Sequence, residues 1–134
     1  MIFVDTSAWL ALADSHDRDH SEAVEFQHRI GRGDFGKQAT TNYVLAEAVT
    51  VIRRRLGLGP AVAFSDGISQ GTGVELFWVE RVHHRDAIDL MTSHKDKRWS
   101  VTDCASFVIM HSIGIDDAFA FDDDFRQAGF VVHP

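Results

Sequence analysis

The chain has 134 residues, 45% of them hydrophobic and 25% charged, the size and balance of one globular domain that buries a core without disulfide or metal staples. No apolar run approaches the roughly 18 residues that a membrane-spanning helix needs, so no membrane association is expected. The formal net charge of −7 argues against an ordinary nucleic-acid binder with a basic footprint, unless the acids gather in one site, where divalent cations would invert the local charge.

Residues 2–5, IFVD, form a short apolar run ending in an acid and read as a buried parallel strand. With no basic residues before it and Asp5 inside it, the opening MIFVDTSAWLALAD is a strand and a helix start rather than a signal peptide. Residues 7–14 start a helix, and 17–30 follow as an amphipathic helix with Ala23, Val24, Phe26 and Ile30 on its apolar side. Gly31, Gly33 and Gly36 break it, and 37–41 make a second strand. Residues 42–56 are helical by the recurrence of Val44, Leu45, Ala48, Val51, Ile52 and Leu56, with Asn42 as N-cap and Gly57 as stop. A helix over 60–69, a strand over 74–79 and a helix over 83–94 come next. Then come a helix over 100–112, a strand over 118–121, a short helix over 124–128 and a last strand over 130–133. Strands alternating with helices imply an α/β fold. The expected form is a three-layer α/β/α sandwich with a central, mostly parallel sheet of four to five strands, and a single domain over 1–134.

Four acids fall where such a fold gathers ligands. Asp5 and Asp122 follow apolar strand runs, and open parallel sheets bind ligands beyond the carboxyl ends of their strands. Glu47 lies on the 42–56 helix beside Tyr43, Thr50 and Arg54, off its apolar stripe, and Asp103 lies in the first turn of the 100–112 helix. Each acid also has a structural explanation. Asp5 can cap the first helix, S-x-x-D at Ser100 and Asp103 is close to a capping box, Asp122 to Asp124 can cap a short helix, and Glu47 can be solvated. A charge after a buried strand is costly without a partner or a metal, which favours a site. The one cysteine, Cys104, cannot form an internal disulfide, fits a reducing cytosol and hence a cytoplasmic protein, and reads as a small core residue. His16, His20, His83 and His84 lack third and fourth ligands at zinc spacing.

Taken in order, these segments resemble the PIN domain, and among PIN domains the VapC family of toxins. MIFVDTSAWLALAD resembles the family's hydrophobic strand followed by D-T/S-S, TTNYVLAEAVTVI its glutamate motif, WSVTDCASFVIM its S-x-x-D helix start, and AFAFDDDF its strand running into D-x-D-F. The resemblance implies an endoribonuclease toxin that hydrolyses transfer or ribosomal RNA with Mg²⁺ or Mn²⁺, leaving a 5′-phosphate and a 3′-hydroxyl. It makes Asp5, Glu47, Asp103 and Asp122 the catalytic, metal-binding acids, with Asp124 as an auxiliary metal ligand, and Thr6, Ser7 and Asn42 as polar groups near water or phosphate. Asp123, doubled between Asp122 and Asp124, departs from the pattern and leaves open which of the three faces the metal. The resemblance further implies a homodimer and a cognate VapB-type antitoxin seated in an apolar groove, for which Trp9, Leu10, Leu12, Val49 and Ile52 are candidates. Lys95, Lys97 and Arg98, with Trp99 for stacking, and Arg53, Arg54 and Arg55 are candidates for holding RNA.

Two other readings carry distinguishing features. A haloacid-dehalogenase-like phosphatase needs a second Asp two places after the first, where Ser7 stands. A non-catalytic PIN-fold module that binds RNA or protein would not need all four acids.

Overall fold

Five short strands pair into one sheet in the computed structural model, which describes residues 1–134. The chain runs β1 (Ile2–Val4), α1 (Thr6–Ala13), α2 (His20–Gly31), β2 (Gln38–Thr41), α3 (Asn42–Leu56), α4 (Leu58–Gln70), β3 (Val74–Phe77), α5 (Arg81–Ser93), α6 (Val101–Ile113), β4 (Asp117–Phe119), α7 (Asp124–Gln127) and β5 (Val131–His133). The strand order is β3-β2-β1-β4-β5 and every pairing is parallel. From β1 the chain steps outward to β2 and β3, then returns across the sheet to β4 and β5. Right-handed crossovers in opposite directions put α1 to α4 on one face and α5 to α7 on the other. The packing agrees: α1 meets α2 and α3, α3 meets α4, and α6 meets α5 and α7. The strand order reverses between β1 and β4, which is where a parallel sheet opens a ligand crevice.

Ile2, Phe3 and Val4 are fully buried, as the middle strand of a sheet covered on both faces requires. An aromatic layer packs under the α7 side: Phe125 stacks on Phe3 with centroids 5.9 Å apart and meets Phe107 edge-on at 5.0 Å. On the other side of the strand plane the buried Thr40 hydroxyl donates to Val4 O at 3.0 Å and accepts from Trp9 Nε1 at 3.4 Å. That polar pair ties α1 to the sheet. No helix is long and apolar enough to cross a membrane.

Several boundaries differ from the sequence expectation, each for a local reason. The 17–30 helix begins at His20, because the Asp17 carboxylate accepts from Asp19 N at 2.9 Å and makes a turn there. The 42–56 helix is capped by Thr41, whose hydroxyl accepts from Val44 N, and Asn42 is already helical. The 60–69 helix starts at Leu58, with Gly57 at φ 101° as its cap and Pro60 inside the first turn, where no amide hydrogen is needed. The 83–94 helix starts at Arg81, and His83 accepts from Glu80 N to close a capping box. The strand expected over 118–121 ends at Phe119, because the amide of Phe121 leaves the sheet to donate to Ser7 Oγ at 3.0 Å.

Phe125 is fully buried, and truncating it opens a cavity under α7. Phe125→Ala should cost about 3–5 kcal/mol in urea unfolding, whereas Trp78→Ala, at a side chain 60% exposed, should stay within about 0.5 kcal/mol.

Candidate active site

Asp5 is the first residue past β1. It is only 3% exposed, and its carboxylate caps α1 by accepting from Ser7 N at 3.0 Å and from Ser7 Oγ at 2.6 Å. Ser7 Oγ in turn accepts from Phe121 N. One serine therefore links the end of β1 to the segment leaving β4, and brings Asp122 alongside Asp5. The capping role and the site role belong to the same side chain.

Burial pushes the Asp5 carboxyl up to about 7, and the charges of Asp122 and Asp103 push it the same way against the Ser7 hydrogen bonds. Asp103 is raised to about 6, first by burial and then by Asp124 and Asp122, against its bonds to Ser100. Asp122 is also raised, by partial desolvation and by Asp124 and Asp123, and hydrogen-bonds Asp5. Four carboxyl groups from three separate parts of the chain thus repel one another at the crevice between β1 and β4.

Local structure holds each of them. Asp103 accepts from Ser100 N at 2.7 Å while Ser100 Oγ accepts from Asp103 N at 3.0 Å, a complete capping box at the start of α6. Asp124 N donates to Asp122 Oδ1 at 3.2 Å, so these two stay together. Asp123 turns away. Its carboxylate pairs with Arg126 at 2.8 Å and accepts from Gln127 at 3.2 Å, and those bonds hold it below the ordinary carboxylate range. Of the three consecutive acids, Asp122 and Asp124 are the two that face the cluster.

Glu47 stands apart from these four. It is exposed on α3 and lines a cleft of about 490 Å³ with Tyr43, Thr50, Arg54 and Thr102. It is not among the main sources of repulsion on Asp5, Asp103 or Asp122. The cleft reaches Thr102, the residue before Asp103, and is lined by none of the four clustered acids. Tyr43 was legible as a neighbour of Glu47 one turn earlier; Thr102 was legible only through its adjacency to Asp103.

The polar neighbours divide. Thr6 is buried and its hydroxyl has no partner. The Ser7 hydroxyl is occupied by Asp5 and Phe121. The Asn42 side-chain oxygen accepts from Val79 N at 2.6 Å, fixing the segment after β3 rather than facing the acids. Lys95 and Arg98 are exposed and Lys97 is half-buried near enough to help hold Asp123 ionised, so the basic segment borders the 122–124 turn. Trp99 is not available for stacking: it is 7% exposed and packs against His94 and Phe107. Cys104 is buried and its thiol is pushed up to about 11 by burial, which makes it a core residue and no nucleophile.

As oriented, no three His, Cys, Asp or Glu side chains form a ready ligand group for a metal ion. The donor set is all oxygen, with an orphaned hydroxyl beside it, and it fits a hard cation such as Mg²⁺, which keeps several waters and needs only one or two carboxylates. Of the groove candidates, Trp9 and Ile52 are buried in the core. Trp9 and Leu12 also line an apolar hollow of about 280 Å³ with Phe64 and Ile68 between α1 and α4.

The raised carboxyls make the metal-free chain sensitive to pH. Asp5 and Asp103 keep their protons in the folded state up to about 7 and about 6, while the unfolded chain releases them near the ordinary carboxylate value of about 4. The folded state then binds more protons, so stability falls as pH rises from about 4 to about 7. With EDTA present, Asp5→Asn should exceed the wild type by more than about 1 kcal/mol at about pH 8, with the gap closing near pH 4. Urea unfolding across this range checks it, and equal stability at both ends would refute it.

A family model described as "PIN domain" matches residues 2–131. The chain is 36% identical to the 23S rRNA-specific endonuclease VapC20 of Mycobacterium tuberculosis, in strain CDC 1551 / Oshkosh and in strain ATCC 25618 / H37Rv, over 98% of this chain and 96% of each relative. It is also similar to the crystal structure of Mycobacterium tuberculosis VapC20, a sarcin–ricin loop cleaving toxin, with a TM-score of 0.88 and 36% identity over 98% of this chain and 97% of that one. This similarity removes the haloacid-dehalogenase alternative, which Ser7 already disfavoured. With its five-stranded parallel sheet and its acids at the β1–β4 crevice, the chain belongs to the PIN-domain family, in its branch of VapC-type toxin ribonucleases.

Proposed function

We propose that this chain is a divalent-metal-dependent endoribonuclease toxin that cuts 23S rRNA in the sarcin–ricin loop. Its working groups are Asp5, Glu47, Asp103 and Asp122, with Asp124 beside them. The observation that carries this reading is the gathering of Asp5, Asp103, Asp122 and Asp124 at the switch point of the sheet, with Ser7 tying Asp5 to the segment that leaves β4. A protein keeps such a cluster at a cost in stability, and cation binding repays it. The names of the relatives supply the RNA.

Mg²⁺ or Mn²⁺, when bound, supplies Lewis-acid polarisation of a phosphoryl oxygen and a more acidic water. The chain's own groups do the rest. Ser7 holds the Asp5 carboxylate in one orientation, Ser100 does the same for Asp103, and the Asp124 amide steadies Asp122. The free Thr6 hydroxyl is assigned to a water or a phosphate oxygen. Ser7 and Asn42 serve by positioning Asp5 and the segment after β3. Lys95, Lys97 and Arg98 guide the RNA backbone toward the acids, and salt weakens that step.

The toxin branch implies a VapB-type antitoxin, and the apolar hollow at Trp9, Leu12, Phe64 and Ile68 is assigned to it. A basic antitoxin side chain among the acids would silence the site. A homodimer accounts for Leu58, Val62, Trp78 and Val82, apolar side chains that the single chain leaves in water.

Incubating antitoxin-free protein with ribosomes and Mg²⁺ or Mn²⁺ should give one discrete cut in the sarcin–ricin loop, mapped as a new 5′ end. EDTA should abolish it, and Asp5→Asn and Asp103→Asn should each slow it about 100-fold or more. Intact 23S rRNA beside cuts elsewhere in total RNA would overturn the target; no cut in any RNA by folded, metal-loaded protein would overturn the ribonuclease. In a second measurement, millimolar Mg²⁺ or Mn²⁺ should raise the melting temperature at neutral pH in the wild type, and far less in an Asp5→Asn/Asp103→Asn double variant.

A further inference from the structure

The consecutive Arg53, Arg54 and Arg55 close α3, and the helix turns them to different surroundings. Arg55 is occupied by structure: its guanidinium meets Asp17 at 2.9 Å and Asp14 at 3.5 Å, fastening the turn between α1 and α2. Arg53 is exposed and lines no cavity. Arg54 lines the 490 Å³ cleft that contains Glu47, and it has no carboxylate partner.

Arg53 also lacks a carboxylate partner, so what sets Arg54 apart is its place in the cleft. Tyr43, Glu47, Thr50 and Arg54 follow one another at helical spacing along a single face of α3, with Thr102 of α6 on the opposite wall. Arg54 lies seven positions after Glu47, about 10 Å along the helix axis. Arg54 thus stands about two helical turns beyond Glu47 in the same cleft. A planar fork of donors without an acid partner matches a phosphate.

Resting on the ribonuclease reading above, we propose that Arg54 binds a backbone phosphate of the RNA strand lying in the cleft between α3 and α6, beyond the bond that is cut. Arg54 would then set how far the strand is drawn along α3 before the scissile phosphate meets the acids. Arg53, one position away and equally charged, takes no part.

The test uses the full chain and a labelled RNA hairpin of the sarcin–ricin loop. Binding is measured in an Asp103→Asn background, and cutting in the otherwise wild-type chain. Arg54→Ala should weaken binding about tenfold and make its log–log salt dependence shallower by about 0.7–0.9, raising KM more than it lowers kcat. Arg54→Lys should restore the salt dependence and part of the affinity, and Arg53→Ala should change neither. Replacing the RNA phosphates one at a time by methylphosphonate should reveal one position at which Arg54→Ala costs nothing further. Unchanged affinity and salt dependence in Arg54→Ala, or an equal effect from Arg53→Ala, would overturn the proposal while wild-type cutting left the ribonuclease reading standing. A wild type that neither binds nor cuts any RNA would overturn both.

Discussion

A carboxyl group buried at the end of the central strand is the constraint on which the rest of the site depends. Asp5 occupies the position where the chain passes from the covered middle of a parallel sheet into a helix, and it is almost inaccessible to water. An ionised carboxylate there is expensive unless something compensates it. Ser7 provides two hydrogen bonds, which also form the cap of α1. Those bonds do not suffice against burial, and Asp122 and Asp103 add charge of the same sign. The fold tolerates a strained group at this one point because its neighbouring strands and aromatic layer are well packed.

Packing decides which acids join Asp5. β4 is only three residues long, Phe119 being its last, and the chain beyond it is caught by Ser7 through the Phe121 amide. Phe125, locked between Phe3, Phe107 and Phe130, anchors the short helix α7 from below. Between those two fixed points the 122–124 turn has little freedom. Arg126 and Gln127 draw Asp123 outward, and the turn then directs Asp122 and Asp124 inward. Neutral, apolar packing thus determines the geometry of a charged site.

Charge is also divided by surface. Four acids gather at the crevice, while cations flank it: Lys97 beside the 122–124 turn and Arg54 in the cleft of Glu47. On the function proposed above, a chain that is acidic in sum could meet a polyanion, because a cation held at the centre and basic groups at the rim would reverse the sign where contact occurs. The overall charge was a poor guide to the partner for that reason.

Sequence alone determined the order of elements and pointed to Asp5, Asp103, Asp122 and Asp124, the acids that the fold gathers at one crevice. An apolar run ending in Asp, and Ser100 followed three residues later by Asp103, carry physical meaning within a few residues: a strand carboxyl end and a helix start. The parallel sheet followed from the alternation of strands and helices. Tertiary structure decided the remainder, since it depends on partners far along the chain. Thr41 rather than Asn42 caps α3, because Asn42 is engaged by Val79. Trp99 looked like a stacking surface from its basic neighbours but is sealed by Phe107. Three adjacent arginines are alike in sequence, yet Asp14 and Asp17 claim one and the cleft receives another. Periodicity reports which side of a helix a residue occupies; only the fold reports what stands opposite it, and the energy of a charge is set by what stands opposite.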